Sequence, residues 1–248
     1  ADGKVVGVRT SRGTVATPRV VVAGGIWSRR LLRPLWLNLP MQWVRLTVSE
    51  TGPVPGFPDI PAVWSHDVAF RKTDRGTVLF AASQRADVDV MLSAANNIGA
   101  FSPTLAKNLR TFQVRVGRAA WFDARSRFDR RHRYSGWEPR PNAHSVEIGR
   151  TALARIYPEL AEVPVARSWG GYIDGTPDNL PVLSTVDDLE GLVIGAGFSG
   201  HGFGLSRASG GVLADLAIEG TSPRHDVSAF RFARFASGEF RRATTVAH

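Results

Sequence analysis

The sequence predicts an α/β fold in two parts. Its two outer segments build one layer of short buried strands and a helix, and a mainly antiparallel β-sheet lobe (α+β) interrupts them. Three observations carry this. The runs "RVVVA" and "GLVIGAG" are continuously apolar, as strands buried on both faces require. Between residues 35 and 168 the texture shifts to β-branched and aromatic runs, "MQWVRLTVSE", "AVWSHDVAF" and "TVLFAAS", with Gly-Pro punctuation such as "TGPVPGFPDIP". After Val165 the first texture returns. Residues 1–34 and 169–248 therefore read as two parts of one domain, and 35–168 as the inserted lobe.

The elements follow in order. Lys4–Thr10 alternates around Val6 and Val8, Ser11-Arg12-Gly13 turns, and Thr14–Thr17 returns as the second strand of a hairpin. Arg19–Ala23 is a third strand, ending in Gly24-Gly25 where the backbone can turn tightly. Within the lobe, Thr104–Val116 reads as a helix. Thr151–Leu160 reads as a second, with Leu153, Ile156, Tyr157 and Leu160 on one face, Thr151 as its cap and Pro158 ending it early. "LPVLS" and "GLVIGAG" are short buried strands, and Leu205–Ile218 is a helix striped by Leu205, Ala208, Val212 and Leu216. Beyond Gly220 no strong pattern remains.

Composition narrows the function classes. Of 248 residues, 43% are apolar and 21% charged, the balance of a globular protein. The net charge of +9 is almost all arginine, since Lys4, Lys72 and Lys107 are the only lysines. The absence of cysteine excludes disulfides, thiolate metal sites, cysteine nucleophiles and any sulfur-tethered cofactor in this portion. No apolar stretch approaches the roughly 18 residues of a membrane span, and no signal-peptide pattern opens the sequence. A cytoplasmic protein without a membrane span is the expectation.

In "GLVIGAGFSGHGFG", Gly195, Gly197 and Gly200 stand in G-x-G-x-x-G spacing between a strand and a helix. A dinucleotide fingerprint there needs a further strand about 20 residues on, ending in an acid for the ribose. Glu219 stands at that distance, but it closes the helix and precedes Gly-Thr-Ser-Pro, not more sheet. As the fingerprint of a first β-α-β unit the motif fails. Four glycines around Ser199 and His201 still leave a flat ligand free access, and the helix start offers unpaired N–H groups to partial negative charge.

The segment from Gly191 to Gly220 resembles the C-terminal flavin-contacting motif of the D-amino-acid oxidase superfamily. Its members are FAD-dependent amine and amino-acid oxidoreductases such as sarcosine and glycine oxidases and opine or D-amino-acid dehydrogenases. Two more segments agree in order: "VVVAGGIWSRRLL" and "SWGGYIDGTPDNLPVLS". The resemblance implies a partial FAD-binding Rossmann-like domain and a substrate domain. It implies that Ala23, Gly24, Gly25 and Trp27 lie along a non-covalent FAD. Gly200, His201, Gly202 and Phe203 would pack by its ring, with Gly171 and Gly197 as further cofactor-binding residues. The implied chemistry is hydride transfer from the carbon beside an amine to flavin N5, giving an imine. His201 is the expected polar group near the reacting face, and Tyr172 a wall or hydrogen-bond donor over the substrate.

Two departures accompany the resemblance. The N-terminal G-x-G-x-x-G unit for the ADP half does not occur here, so a second chain or further segment is the expected supplier. Many relatives carry an arginine where this sequence has Ile173-Asp174, and sarcosine-oxidase-like members a lysine where it has Gly204. For an amino-acid substrate Arg45 is then the candidate cation, with an ion-pair role as its alternative. Two other functions stay open. One is a flavoprotein acting on tRNA or single strands, since residues 110–140 interleave nine arginines with Trp121, Phe122, Phe128, Tyr134 and Trp137. Asp123, Asp129 and Glu138 make a solvated, paired face the better reading, so nucleic acid is disfavoured. The other is a non-catalytic subunit of a multi-chain dehydrogenase.

Overall fold

A computed structural model describes residues 3–91, 97–107, 112–126 and 138–243. The chain opens with β1 (Gly7–Thr10) and β2 (Gly13–Ala16), an exposed antiparallel hairpin that pairs only with itself. The expected third strand, β3 (Val20–Val22), leaves the hairpin to join another sheet. There it lies parallel to β12 (Leu192–Ala196), with Val20 opposite Leu192 and Val22 opposite Ile194, and β12 pairs antiparallel with β11 (Val182–Thr185). One face of this sheet packs Val182, Leu192, Ile194 and Ala196 on Leu32, Leu39 and Met41. The other packs Leu183 and Val193 under Val212 and Leu216 of α5 (Gly202–Glu219).

Seven strands among the described residues form the larger sheet. The order is β5 (Val63–Trp64), β6 (Val68–Lys72), β7 (Thr77–Ala82), β4 (Gln42–Pro53), β8 (Ala86–Asp89) and β9 (Phe112–Arg115). Along its opposite edge β4 carries β10 (Val165–Gly175) in one long antiparallel ladder. All pairs are antiparallel except β8–β9. The helix α4 (Ala143–Ile156) covers one end, burying Ala152 and Leu153 with Phe70, Val78 and Phe80. Gly149 allows this approach, because a Cβ there would stand 3.0 Å from the Phe80 ring.

Several expectations need correction. The span Thr104–Val116 is not one helix: α2 (Ile98–Lys107) ends within it, and β9 follows. Phe112 and Val114 pair with Ala86 and Val88, so sheet partners override a weak helical pattern. The second helix starts eight residues before Thr151, because Asn142 caps it by accepting the His144 N–H at 3.0 Å. It ends at Ile156, and Pro158–Leu160 follows as a 3-10 turn. The run 19–23 is not buried on both faces; Val21 is 41% exposed, and β3 has β12 on one side only among the described residues. Residues 169–175 lie in the large sheet, since β10 runs unbroken across the expected boundary at 168. In α5 the stripe is buried only in its second half, at Val212 and Leu216, while Leu205 and Ala208 are exposed. The tail is ordered by α6 (Arg234–Ser237), and Phe232 and Phe235 pack into the core of the small sheet.

Candidate functional site

The parallel pairing of β3 and β12 brings two glycine turns side by side. Both strands end at the same edge, so Gly24–Trp27 follows one and Gly197–Gly202 the other. Open α/β sheets bind ligands at this carboxyl edge. Gly25 has φ of 53° and its absent side chain would meet nothing within 4 Å. The Gly24 N–H donates to Ser28 Oγ at 3.0 Å, which ties the first turn to α1 (Ser28–Leu32). Ala23 and Gly25 are exposed.

The second turn is strained and held from behind. Gly197, Ser199 and Gly200 all have positive φ, 76°, 51° and 92°. For fully buried Ser199 this is an outlier that the surroundings must impose. Its Oγ accepts the Thr176 N–H at 3.2 Å, and its own N–H donates to the Asp174 carbonyl at 3.2 Å. The Asp174 carboxylate accepts the Gly197 N–H at 2.8 Å. Burial pushes this carboxyl's pKa above the ordinary range, opposed by the N–H groups of Gly197 and Phe198. A side chain on Gly197 would collide with Thr176 Cγ2. His201 then precedes α5 without capping it, its Nδ1 3.3 Å from the Phe198 carbonyl oxygen. Phe203 is 98% exposed.

Strand β10 connects this turn to the large sheet. Its register with β4 sets Tyr172 opposite Arg45 and Asp174 opposite Trp43, while Gly171 and Ile173 point to the other face with Leu46 and Val44. The Ile173 side chain lies 3.4 Å from where a Cβ of Gly200 would be, and a Cβ on Gly171 would meet open space. On the opposite face the indole of Trp43 bridges Trp27 at 5.1 Å, edge-on, and Tyr172 at 4.9 Å. Its Nε1 donates to the Ile26 carbonyl at 3.2 Å. Trp27 and Tyr172 are thus joined through a residue that the sequence reading passed over.

Arg45 and Tyr172 both serve a carboxylate network. The Tyr172 hydroxyl donates to Asp89 Oδ2 at 2.6 Å. Arg45 gives Nε to Asp89 Oδ2 at 2.9 Å, Nη1 to the Arg140 carbonyl at 2.6 Å, and places Nη2 3.4 Å from Asp87 Oδ2. Burial works against this guanidinium's charge, but the hydrogen bond and charge of Asp89 outweigh it and raise the pKa. Asn142 Nδ2 and Arg115 Nε also donate to Asp87. A cavity of about 390 Å³ opens beside this network, lined by Arg45, Asp89, Arg115, Arg118 and Tyr172 among others. The sequence signal for the network was the alternation in "ADVDV", which sets Asp87 and Asp89 on one face of β8. For Asp174 no pattern exists, because its partner is a backbone amide 23 residues away.

Among the described residues no cluster of metal-binding side chains occurs, and no helix is long and apolar enough to cross a membrane. Part of the arginine-rich stretch lies outside the described residues, including five of its nine arginines and Phe128, Tyr134 and Trp137.

Residues 1–216 match the family described as FAD dependent oxidoreductase (DAO). Glycine oxidase of Pseudomonas aeruginosa is 28% identical over 225 residues, covering 90% of this chain and 48% of that protein. Sarcosine oxidase subunit beta of Rhizobium meliloti is 25% identical, covering 96% of this chain and 45% of that protein. Among solved structures, L-amino acid deaminase from Proteus vulgaris superposes with a TM-score of 0.81 at 22% identity, over 95% of this chain and 56% of that one. The chain spans about half the length of the curated relatives it matches.

Proposed function

This chain belongs to the DAO family of FAD-dependent oxidoreductases, and on that premise we propose that it forms the flavin-ring end and the substrate lobe of an enzyme oxidising a C–N bond. The carrying observation is the convergence of three features. The glycine turns after β3 and β12 lie at one sheet edge, and the open Gly171 face of β10 stands next to the strained turn. A flat ligand fits here: no side chain fills the space at Gly25 or Gly171, and no side chain caps the start of α5. When bound, FAD supplies the acceptor for hydride taken from the carbon beside the amine.

The chain's own residues orient and polarise. Ala23, Gly24, Gly25 and Trp27 line the cofactor, and Gly171, Gly197, Gly200, Gly202 and Phe203 flank its ring. The uncapped amides of α5 stabilise negative charge that develops there. His201 offers a hydrogen bond near the reacting face. Tyr172 walls the substrate side, and Arg45 holds it through Asp89 instead of meeting a substrate carboxylate directly. The substrate class is an amine or amino acid, as its likeness to a glycine oxidase, a sarcosine oxidase subunit and an L-amino acid deaminase supports. A further segment or second chain completes the ADP-binding unit.

Gly171→Val in the complete flavoprotein tests the placement. Valine suits an open strand position, so thermal stability should hold. The cofactor should be excluded, with FAD affinity reduced by at least about 10-fold, as a steric clash in a filled site costs. Normal flavin content in a stable Gly171→Val protein would reject this reading.

A further inference from the structure

Asp174 has no part in the chemistry described so far, yet it is a carboxylate at the end of a strand with only 9% of its surface exposed. Burying a charge is costly unless specific donors meet it. Here the donors are backbone amides of the turn that precedes α5: Gly197 N–H at 2.8 Å, with Phe198 N–H also directed at it. The same residue's carbonyl accepts from Ser199, so one residue grips the turn at two points. Between those points the backbone passes through left-handed conformations at Gly197 and Ser199, which a free chain would leave. Thr176 closes the far side through Ser199 Oγ. The turn's shape decides where Gly200, His201 and the first amides of α5 point, and none of these has a side-chain tether of its own beyond the Phe198 contact of His201.

We propose that Asp174 is the positioning residue of the flavin-side turn: its carboxylate clamps the Gly197 amide, and thereby keeps Gly200, His201 and the start of α5 aimed at the cofactor. The clamp rests on the reading that FAD lies against this turn. It needs an acceptor oxygen at one place, and the charge is secondary.

The test uses the complete flavin-loaded protein with Asp174→Ala and Asp174→Asn. Alanine removes the acceptor and leaves the Gly197 amide unsatisfied, which predicts about 10- to 100-fold weaker FAD binding. The visible circular dichroism of the bound flavin should also change. Asparagine keeps an acceptor oxygen, and should restore both properties to within about 3-fold of wild type. Asp174→Ala with wild-type affinity and spectrum, or Asp174→Asn as impaired as alanine at unchanged melting temperature, overturns the clamp. Where alanine does not fold, Asp174→Glu takes its place, since an added methylene displaces the acceptor, with the same two outcomes. Hydrogen exchange across residues 197–200 in the flavin-free protein reads the clamp by itself. Exchange about 10-fold faster than wild type in the alanine variant is expected, as for loss of a local protecting bond; equal exchange overturns the inference. A failed Gly171→Val test with accelerated exchange here would reject the flavin placement and leave the clamp standing.

Discussion

At the scale of single residues, the proposed function rests most on His201. It is exposed, stands between Gly200 and Gly202, and neither neighbour gives it packing support. Its Nδ1 lies 3.3 Å from the Phe198 carbonyl oxygen, and a proton on Nδ1 would leave Nε2 as an acceptor. In the complete enzyme His201→Ala should keep most of its FAD, because most cofactor contacts lie elsewhere. Flavin reduction by an amine, followed anaerobically by stopped flow, should slow about 10- to 1000-fold, the scale of one positioned electrostatic or acid–base group. Unchanged reduction with normal flavin content would make His201 part of a turn only. Arg45 shows the contrast. Its side chain is largely buried, its nitrogens are engaged by Asp87, Asp89 and Arg140, and Tyr172 shares Asp89 with it.

At the scale of elements, the tail and the loop before β11 are locked together. Arg234 in α6 gives Nε to Asp178 Oδ2 at 2.7 Å and Nη2 to Asp178 Oδ1 at 3.2 Å, with Nη2 also on the Leu180 carbonyl. Both side chains are almost fully buried. Arg234→Met removes both guanidinium bonds to buried Asp178, leaving it the Leu180 N–H, and should destabilise by about 3–5 kcal/mol in chemical denaturation. The double variant Arg234→Met/Asp178→Asn should recover much of this; no recovery would mean that the arginine acts by packing alone. The sequence could not show this bond, because residue 178 meets a helix 56 positions later. Local signals fared better. The hairpin turn at Ser11-Arg12, the strand before Gly24 and the glycine junction before α5 were all legible, since each depends on neighbours in the chain. The start of α4 was misjudged because Asn142, a good cap, follows Pro141 and a stretch without helical periodicity. The helix expected over Thr104–Val116 failed for the opposite reason: β8 recruits Phe112–Arg115 as a strand, a preference set by a partner that is not adjacent.

For the whole molecule, the informative surface is the open edge of the small sheet. β3 pairs with β12 on one side only among the described residues, and Val21 is exposed on it. The exposed hairpin adds Val6 and Val15, and Phe203 and Leu205 lie bare at the start of α5. An unpaired strand edge next to apolar side chains attracts another strand, and isolated proteins protect such edges. On the proposed function, further sheet from a longer chain or a second one would add beside β3 and close the cofactor site. The 248-residue chain, purified alone, should therefore be colourless and bind a hydrophobic dye, or aggregate. Co-expression with an ADP-binding β-α-β unit from the same family, as a separate chain, should yield a yellow complex with the dye signal lost. Lys substituted at Val21 should then prevent assembly, because a charge would enter the new sheet, while leaving the hydrogen-bonded register of β3 with β12 intact. A yellow, monodisperse 248-residue chain that ignores the added unit would refute this account, since its flavin site would already be closed by the residues described.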